Sequence, residues 1–131
     1  MYPGLTLSLF FLRQRIMGYI ESGKGAGATV HLGGERHGDE GFFIKPTIFT
    51  DVHSDMKIVK EEIFGPVAVV IKFRDEAEVV EMANNTVYGL GALLFTQNVS
   101  RAVRMANAVE AGSIWVCHFL FFIFFPLRCL D

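Results

Sequence analysis

Lys60-Glu61-Glu62-Ile63-Phe64-Gly65-Pro66-Val67 sets two carboxylates and an aromatic ring immediately ahead of a Gly-Pro corner, and a β-branched run over 67–73 follows at once. Gly and Pro fix the backbone where the chain turns, and the apolar run after them reads as a buried strand. The carboxylates and the ring are thereby held at a strand edge, the kind of position from which a rigid scaffold aims polar groups at a ligand. A carboxylate at Glu62 can accept hydrogen bonds from both hydroxyls of a ribose, and the ring of Phe64 can bound the flat ring attached to that sugar. These residues leave a second reading open. Carboxylates are mostly exposed, and Glu61 and Glu62 also fit a solvated edge with no ligand.

Other reactive side chains fit their surroundings better than a chemistry. His53-Ser54-Asp55 holds the residue types of a hydrolase triad, but sequence neighbours cannot converge on one point, and triads assemble across a fold. The spacing of His37, Asp39 and Glu40 matches no helical or loop metal site, so a polar surface loop accounts for them and no metal is expected. Gly23-Lys24-Gly25-Ala26-Gly27 imitates a phosphate cradle, yet it follows a helix and lacks a closing Lys-Ser or Lys-Thr. It reads as a helix terminator. Cys117 and His118 are adjacent, which places nucleophile and base poorly, so Cys117 is read as a structural thiol.

The elements that must position Glu62 and Phe64 follow from hydrophobic spacing. Ile16, Met17, Tyr19 and Ile20 mark one helix face over 13–23, which the glycine cluster ends. A strand over 28–32 follows, then a polar Gly-rich loop over 33–41. The stretch 42–52 alternates as a strand that Pro46 restricts to an edge or irregular position. Beyond the Gly-Pro corner come strands over 67–73, 90–96 and 113–116, separated by helices. Asp75 and Glu78 have the spacing of a capping box and open a helix to about Asn84. Asn98 caps a second helix with Val99, Ala102, Val103, Ala106 and Val109 on one face, and Gly112 takes the left-handed position that closes it. The strand starts at Val67, Leu90 and Ser113 recur at equal intervals, and strands alternating with helices imply parallel crossovers and an α/β class. Three such strands form only part of a sheet covered on both faces, so the chain reads as a piece of a larger domain.

Composition narrows the partners. With 51% hydrophobic and 20% charged residues, the 131-residue chain is globular rather than disordered. Its net charge of −2 gives no electrostatic case for nucleic acid or an anionic membrane surface. The two cysteines, Cys117 and Cys129, are too few for a disulfide framework and fit a reducing compartment. The apolar runs 5–12 and 119–125 fall far short of the roughly 18 residues a membrane-spanning helix needs. The first run is not read as a secretory signal: no Lys or Arg precedes it, Arg13 and Arg15 follow it, and it has no small-residue cleavage site.

The opening motif has company. Gly41-Phe42-Phe43-Ile44-Lys45-Pro46-Thr47-Ile48-Phe49 precedes it, and Ala83-Asn84-Asn85-Thr86-Val87-Tyr88-Gly89-Leu90 and Ala111-Gly112-Ser113-Ile114-Trp115-Val116 follow it. Together, in this order, these segments closely resemble the NAD(P)-dependent aldehyde dehydrogenases, and the fungal-type, non-specific enzymes above all. The likeness runs without a gap over about 15–116. It implies a fragment of the α/β catalytic domain of that family, in which Glu62 binds the nicotinamide-ribose hydroxyls and Phe64 packs near the nicotinamide. The implied reaction oxidises an aldehyde to a carboxylic acid with NAD or NADP. A cysteine thiolate attacks the aldehyde, the thiohemiacetal passes hydride to the cofactor, and a glutamate-activated water hydrolyses the thioester. Neither Cys117 nor Cys129 has the Gly-Gln-x-Cys surroundings of the family nucleophile, and the general base with its Glu-Leu-Gly-Gly context is not found here. No catalytic residue is therefore assigned. The family also implies a homo-oligomer and a cytoplasmic location, with the mitochondrion as the alternative.

After Val116 the family pattern gives way to Cys117-His118-Phe119-Leu120. Three segments are expected: a non-family apolar stretch over 1–14, the partial catalytic domain over 15–116 and a non-family Phe-rich tail over 117–131. The expected origin of both tails is a broken gene model, with retained intron or frame-shifted sequence at each end. The chain by itself is expected to be inactive and aggregation-prone. The alternative is a non-catalytic fragment that docks on a full-length homologue through exposed sheet edges and the run 119–125.

Overall fold

A 23-residue helix, α1 (Pro3–Gly25), opens the computed structural model. Residues 3–117 are described, with side chains from residue 8 onward. The Phe-rich run 119–125, His118 and Cys129 lie outside them. Then follow β1 (Thr29–Leu32), β2 (Thr47–Thr50), α2 (Lys57–Lys60), β3 (Val67–Val69), α3 (Glu76–Asn84), β4 (Gly91–Phe95), α4 (Val99–Ala108) and β5 (Ser113–Cys117). Two compact units divide the chain between Lys72 and Phe73.

In the first unit α1 starts earlier than the expected 13–23, with Pro3 as its first residue. Proline is well suited there, because a helix leaves its first N–H groups unbonded anyway. Ile16, Tyr19 and Ile20 are buried, and the helix ends in the glycine cluster: the Ala28 N–H donates to Gly23 O at 3.0 Å, and Gly27 has a φ of 91°. The terminator reading holds. β1 runs antiparallel to β2, and β2 parallel to β3, in the order β1-β2-β3. The core gathers Ile16, Tyr19, Ile20, Ala28, Phe49, Met56 and Ile58.

The irregular alternative drawn from Pro46 is met in the pairing of β2 with β1, whose register shifts between Val30 and Leu32, but β2 is central, which corrects the edge alternative. The reason is that Pro46 stands just outside the strand, so its missing N–H costs the ladder nothing. Thr47 follows it almost fully buried, and its hydroxyl accepts from the Gly34 N–H and donates to Lys45 O, both at 2.9 Å. The one-turn α2 was not anticipated; four residues are too short for a periodicity to register. Nearer the chain start, the Arg13 guanidinium lies over the rings of Phe10 and Phe42, 5.4 and 5.1 Å from their centroids. This ties the first half of α1 to the loop before β2.

The second unit carries α3, β4, α4 and β5. β4 and β5 pair in parallel from Gly91↔Ser113 to Phe95↔Cys117, joined through α4 as a parallel crossover. The strand-helix alternation is thus realised here, and the class is α/β; β3, however, is hydrogen-bonded to β2 and not to β4. Both helix starts are as expected: Asp75 Oδ1 accepts from the Glu78 N–H and Asn98 Oδ1 from the Arg101 N–H, each at 2.9 Å. The Glu78 carboxylate reaches back one residue further than in a standard capping box, to the Arg74 N–H at 2.6 Å.

Two details of α4 differ. Its closing residue is not Gly112, which keeps a negative or extended φ; α4 stops at Ala108, with Val109 extended behind it. The carboxamide of Asn84 takes over the capping, donating to Ala108 O at 2.9 Å and accepting from the Glu110 N–H at 2.8 Å. The buried residue of α4 is Met105, whereas Val99 and Val103 are exposed.

One ionic cluster joins α3 to α4. Glu76 Oε1 accepts from Arg101 Nε at 2.5 Å, and Oε2 from Arg104 Nη2 at 2.9 Å. Hydrogen bonds from Arg104 and then Arg101 hold the Glu76 carboxyl below its ordinary range. A depressed folded value means the cluster stabilises fully above the ordinary carboxylate range and is lost as pH falls through the lowered value. Acid titration followed by Trp115 fluorescence is therefore expected to show loosening of this unit only once pH falls below the ordinary carboxylate range, and Glu76→Gln to blunt that response. Glu78, lowered by its hydrogen bond from Arg74, retains a share of it. An identical acid profile in the variant would mean that the cluster contributes nothing.

Candidate functional site

The segment between α2 and β3 carries both expected site residues. α2 closes with the Glu61 N–H donating to Lys57 O at 3.0 Å, and Glu61 itself is extended, with φ −109° and ψ 144°. Successive side chains on an extended backbone leave on opposite sides, so Glu61 and Glu62 part company. Glu61 turns to α1, where the Tyr19 hydroxyl donates to its Oε2 at 2.7 Å. The Tyr19 ring is buried beneath two cations, Lys57 Nζ 4.9 Å and the Arg15 guanidinium 5.8 Å from its centroid. Glu61 is thus an anchor. Glu62 is exposed, as is the Phe64 ring, at 61%.

Two successive three-residue turns hold that ring in place. The Gly65 N–H donates to Ile63 O at 2.7 Å around Phe64, and the Val67 N–H to Gly65 O at 2.8 Å around Pro66. Pro66 O in turn accepts from the Thr47 N–H at 2.8 Å, fastening the corner to β2. Behind it lies α1: a Cβ on Gly65 would stand 2.6, 2.8 and 3.0 Å from three side-chain carbons of buried Ile16. The glycine is needed for space. Sequence spacing put Tyr19 and Ile16 on an apolar helix face and missed their service to this segment. The available signal was the Tyr19 hydroxyl, since a buried tyrosine needs a hydrogen-bond partner.

The discarded candidates stay apart. His53, Ser54 and Asp55 are exposed in a turn where the Met56 N–H donates to His53 O at 3.1 Å. His37, Asp39 and Glu40 sit exposed on the loop before β2, and among the described residues no three His, Cys, Asp or Glu side chains gather as a metal would require. Cys117 ends β5 half-buried and outside any disulfide. Among the described residues, no helix is long and apolar enough to cross a membrane.

Most of the chain is matched by known proteins. The sequence model of the Aldehyde dehydrogenase family matches residues 12–122. The chain belongs to the aldehyde dehydrogenase family. Its relatives include an aldehyde dehydrogenase of Agaricus bisporus, 63% identical over 102 residues, which are 78% of this chain and 20% of that protein. A mitochondrial aldehyde dehydrogenase of Leishmania tarentolae is 52% identical over 103 residues, 79% of this chain and 21% of the relative. The NAD+ complex of the Bacillus cereus aldehyde dehydrogenase superposes with a TM-score of 0.76 at 52% identity, over 80% of this chain and 21% of that one. The chain therefore spans about a fifth of the length of the relatives it matches.

Proposed function

We propose that residues 15–116 supply one wall of the cofactor pocket of an aldehyde dehydrogenase, an oxidoreductase that converts an aldehyde to a carboxylic acid with NAD or NADP. The observation that carries this is the braced corner. Glu62 and Phe64 stand exposed on one segment, while Glu61 and Gly65, alternating with them, are fixed to Tyr19 and Ile16. These residues fit a nicotinamide ribose. A carboxylate accepts at both oxygens and so suits the two donors of a diol, and an exposed ring offers a flat apolar face to the adjacent heterocycle. When bound, the nicotinamide supplies the hydride acceptor. The part of this chain is to orient it, and the NAD+ complex of the Bacillus cereus relative supports NAD as the dinucleotide.

The stretches 1–14 and 117–131 are proposed to lie outside the family domain for most of their length, the family match reaching residue 12 on one side and residue 122 on the other. Since neither cysteine has the family nucleophile's surroundings, the chain alone is expected to give no aldehyde-dependent NADH. Homo-oligomers and a cytoplasmic location are carried over from the family. The small number of cysteines supports a reducing compartment, and the Leishmania relative makes the mitochondrion the competing address.

The test transplants residues 15–116 into the Agaricus bisporus enzyme in place of its matching segment. The chimera is expected to reduce NAD+ with an aldehyde. Glu62→Gln should raise the KM for NAD+ about tenfold or more, because hydrogen bonds to a charged group contribute about 1.5–3 kcal/mol. Phe64→Ala should raise it less, with the KM for aldehyde nearly unmoved in both. A Glu62→Gln chimera with unchanged NAD+ kinetics would remove Glu62 from the site.

A further inference from the structure

Tyr19 joins two environments. Its ring is buried in the core, while its hydroxyl leaves the core and donates to the exposed Glu61 carboxylate at 2.7 Å. A phenylalanine would fill the same place in the core, so what the hydroxyl adds is the bond to Glu61. Lys57 Nζ stands 4.0 Å from the same Oε2, but both side chains are about half exposed, and ion pairs of that kind contribute little. The hydroxyl is therefore the contact that fixes the carboxylate. On the other side of Glu62, Ile63 packs against the core. Glu62 thus stands exposed between two residues that are each held inward. The two holds differ in kind: an apolar contact is non-directional and tolerates rotation of the chain, whereas a hydrogen bond has a preferred direction.

We infer that Tyr19 is a positioning residue for the cofactor: its hydroxyl, acting through Glu61, sets the direction in which the Glu62 carboxylate meets the nicotinamide ribose. This rests on the ribose contact of Glu62 proposed above. A carboxylate that serves two hydroxyls at once is sensitive to direction, because both of its oxygens must come within hydrogen-bond reach of the diol. Removing the Tyr19 hydroxyl costs the fold little, since it leaves behind only an exposed acceptor that water satisfies. What is lost is the pre-set orientation, which binding of the cofactor must then supply.

The test uses the transplanted enzyme and reads NAD+ affinity by calorimetry, the KM values for NAD+ and aldehyde, and the thermal midpoint. Tyr19→Phe is expected to weaken NAD+ binding and raise its KM about three- to tenfold, the equivalent of one ordinary hydrogen bond. The KM for aldehyde and the thermal midpoint should stay nearly unmoved. Glu61→Ala should weaken NAD+ binding to a similar extent, and Glu61→Gln, which keeps an oxygen for the hydroxyl to donate to, should recover most of that loss. In a Glu62→Gln background Tyr19→Phe should add much less than it does alone, because residues that act through one another are not additive. A tyrosine that only supports the fold would lower the thermal midpoint and add its full effect in that background, which would overturn the inference. Glu61→Gln as weak as Glu61→Ala would overturn it too, assigning the effect to the charge facing Lys57. Unchanged NAD+ affinity in Tyr19→Phe, beside a weakened Glu62→Gln, would remove the positioning role alone. Unchanged affinity in both, or an unmodified chimera that binds no NAD+, would remove the Glu62 contact and this inference with it.

Discussion

Phe49→Ala is expected to release the first unit from its native packing, raising amide hydrogen exchange in β2 and the second half of α1 more than about a hundredfold. Phe49 is fully buried at the centre of the three-stranded sheet, paired to Val30 on one side and Val69 on the other. Its ring lies against α1 so closely that a Cβ on Gly23 would sit 3.1 Å from the ring tip, with Ile58 of α2 at 2.8 Å. One side chain therefore joins the sheet, the long helix and the turn that leads into Glu61 and Glu62. Truncating a buried phenylalanine costs about 3–5 kcal/mol in lost transfer free energy and residual cavity. That approaches the whole stability of a typical domain, about 5–15 kcal/mol, and each 1.4 kcal/mol or so is a tenfold change in the opening equilibrium. Phe49→Leu, which keeps most of the volume, should recover most of the protection. Exchange mass spectrometry reads the result peptide by peptide; unchanged protection of residues 47–50 in the alanine variant would show that this ring does not organise the unit.

Much of this architecture was legible because it is local. The caps at Asp75 and Asn98 are side chains reaching three residues along the chain, and the glycine cluster ends α1 by its own backbone freedom, so sequence spacing contained both. What spacing could not contain is pairing between distant segments. Nothing near Pro46 says whether Thr47–Thr50 is flanked on one side or two; that is decided by β1 and β3, which arrive from either direction in the chain. The same holds for Gly112. A left-handed cap was a fair local inference, but Asn84 comes from α3 to satisfy the end of α4, and no local pattern records a cap supplied from another helix. The candidate site divides along the same line. Glu62 and Phe64 were visible as residue types on a rigid corner, and the motifs around them named the family. The bracing by Tyr19 and Ile16 was not visible, because it spans from the first helix to the segment ahead of the third strand.

That bracing yields the second large expected effect, Gly65→Val. The first added atom would stand 2.6 Å from Ile16 Cδ1 and 2.8 Å from Cγ1, well inside contact distance. Ile16 is itself buried among the core side chains, which resist its displacement. The corner must therefore move outward. Overpacking of this kind costs about 1–3 kcal/mol. The displacement also pulls Pro66 O away from the Thr47 N–H, and leaving a buried donor unsatisfied adds about 1–3 kcal/mol. Glu62 and Phe64 travel with the corner, so in the transplanted enzyme NAD+ binding should weaken with stability, although neither residue has been touched. The clash also dictates its own remedy. Ile16→Ala alone opens a cavity and destabilises, but in the Gly65→Val background it makes room for the new methyl groups, so the double variant should be more stable than the two single effects predict. Residues in direct contact show such coupling at about 0.5–3 kcal/mol, whereas separated ones add. Urea midpoints of the four proteins close the cycle, and strict additivity would mean that Ile16 is not what holds the Gly-Pro corner in place.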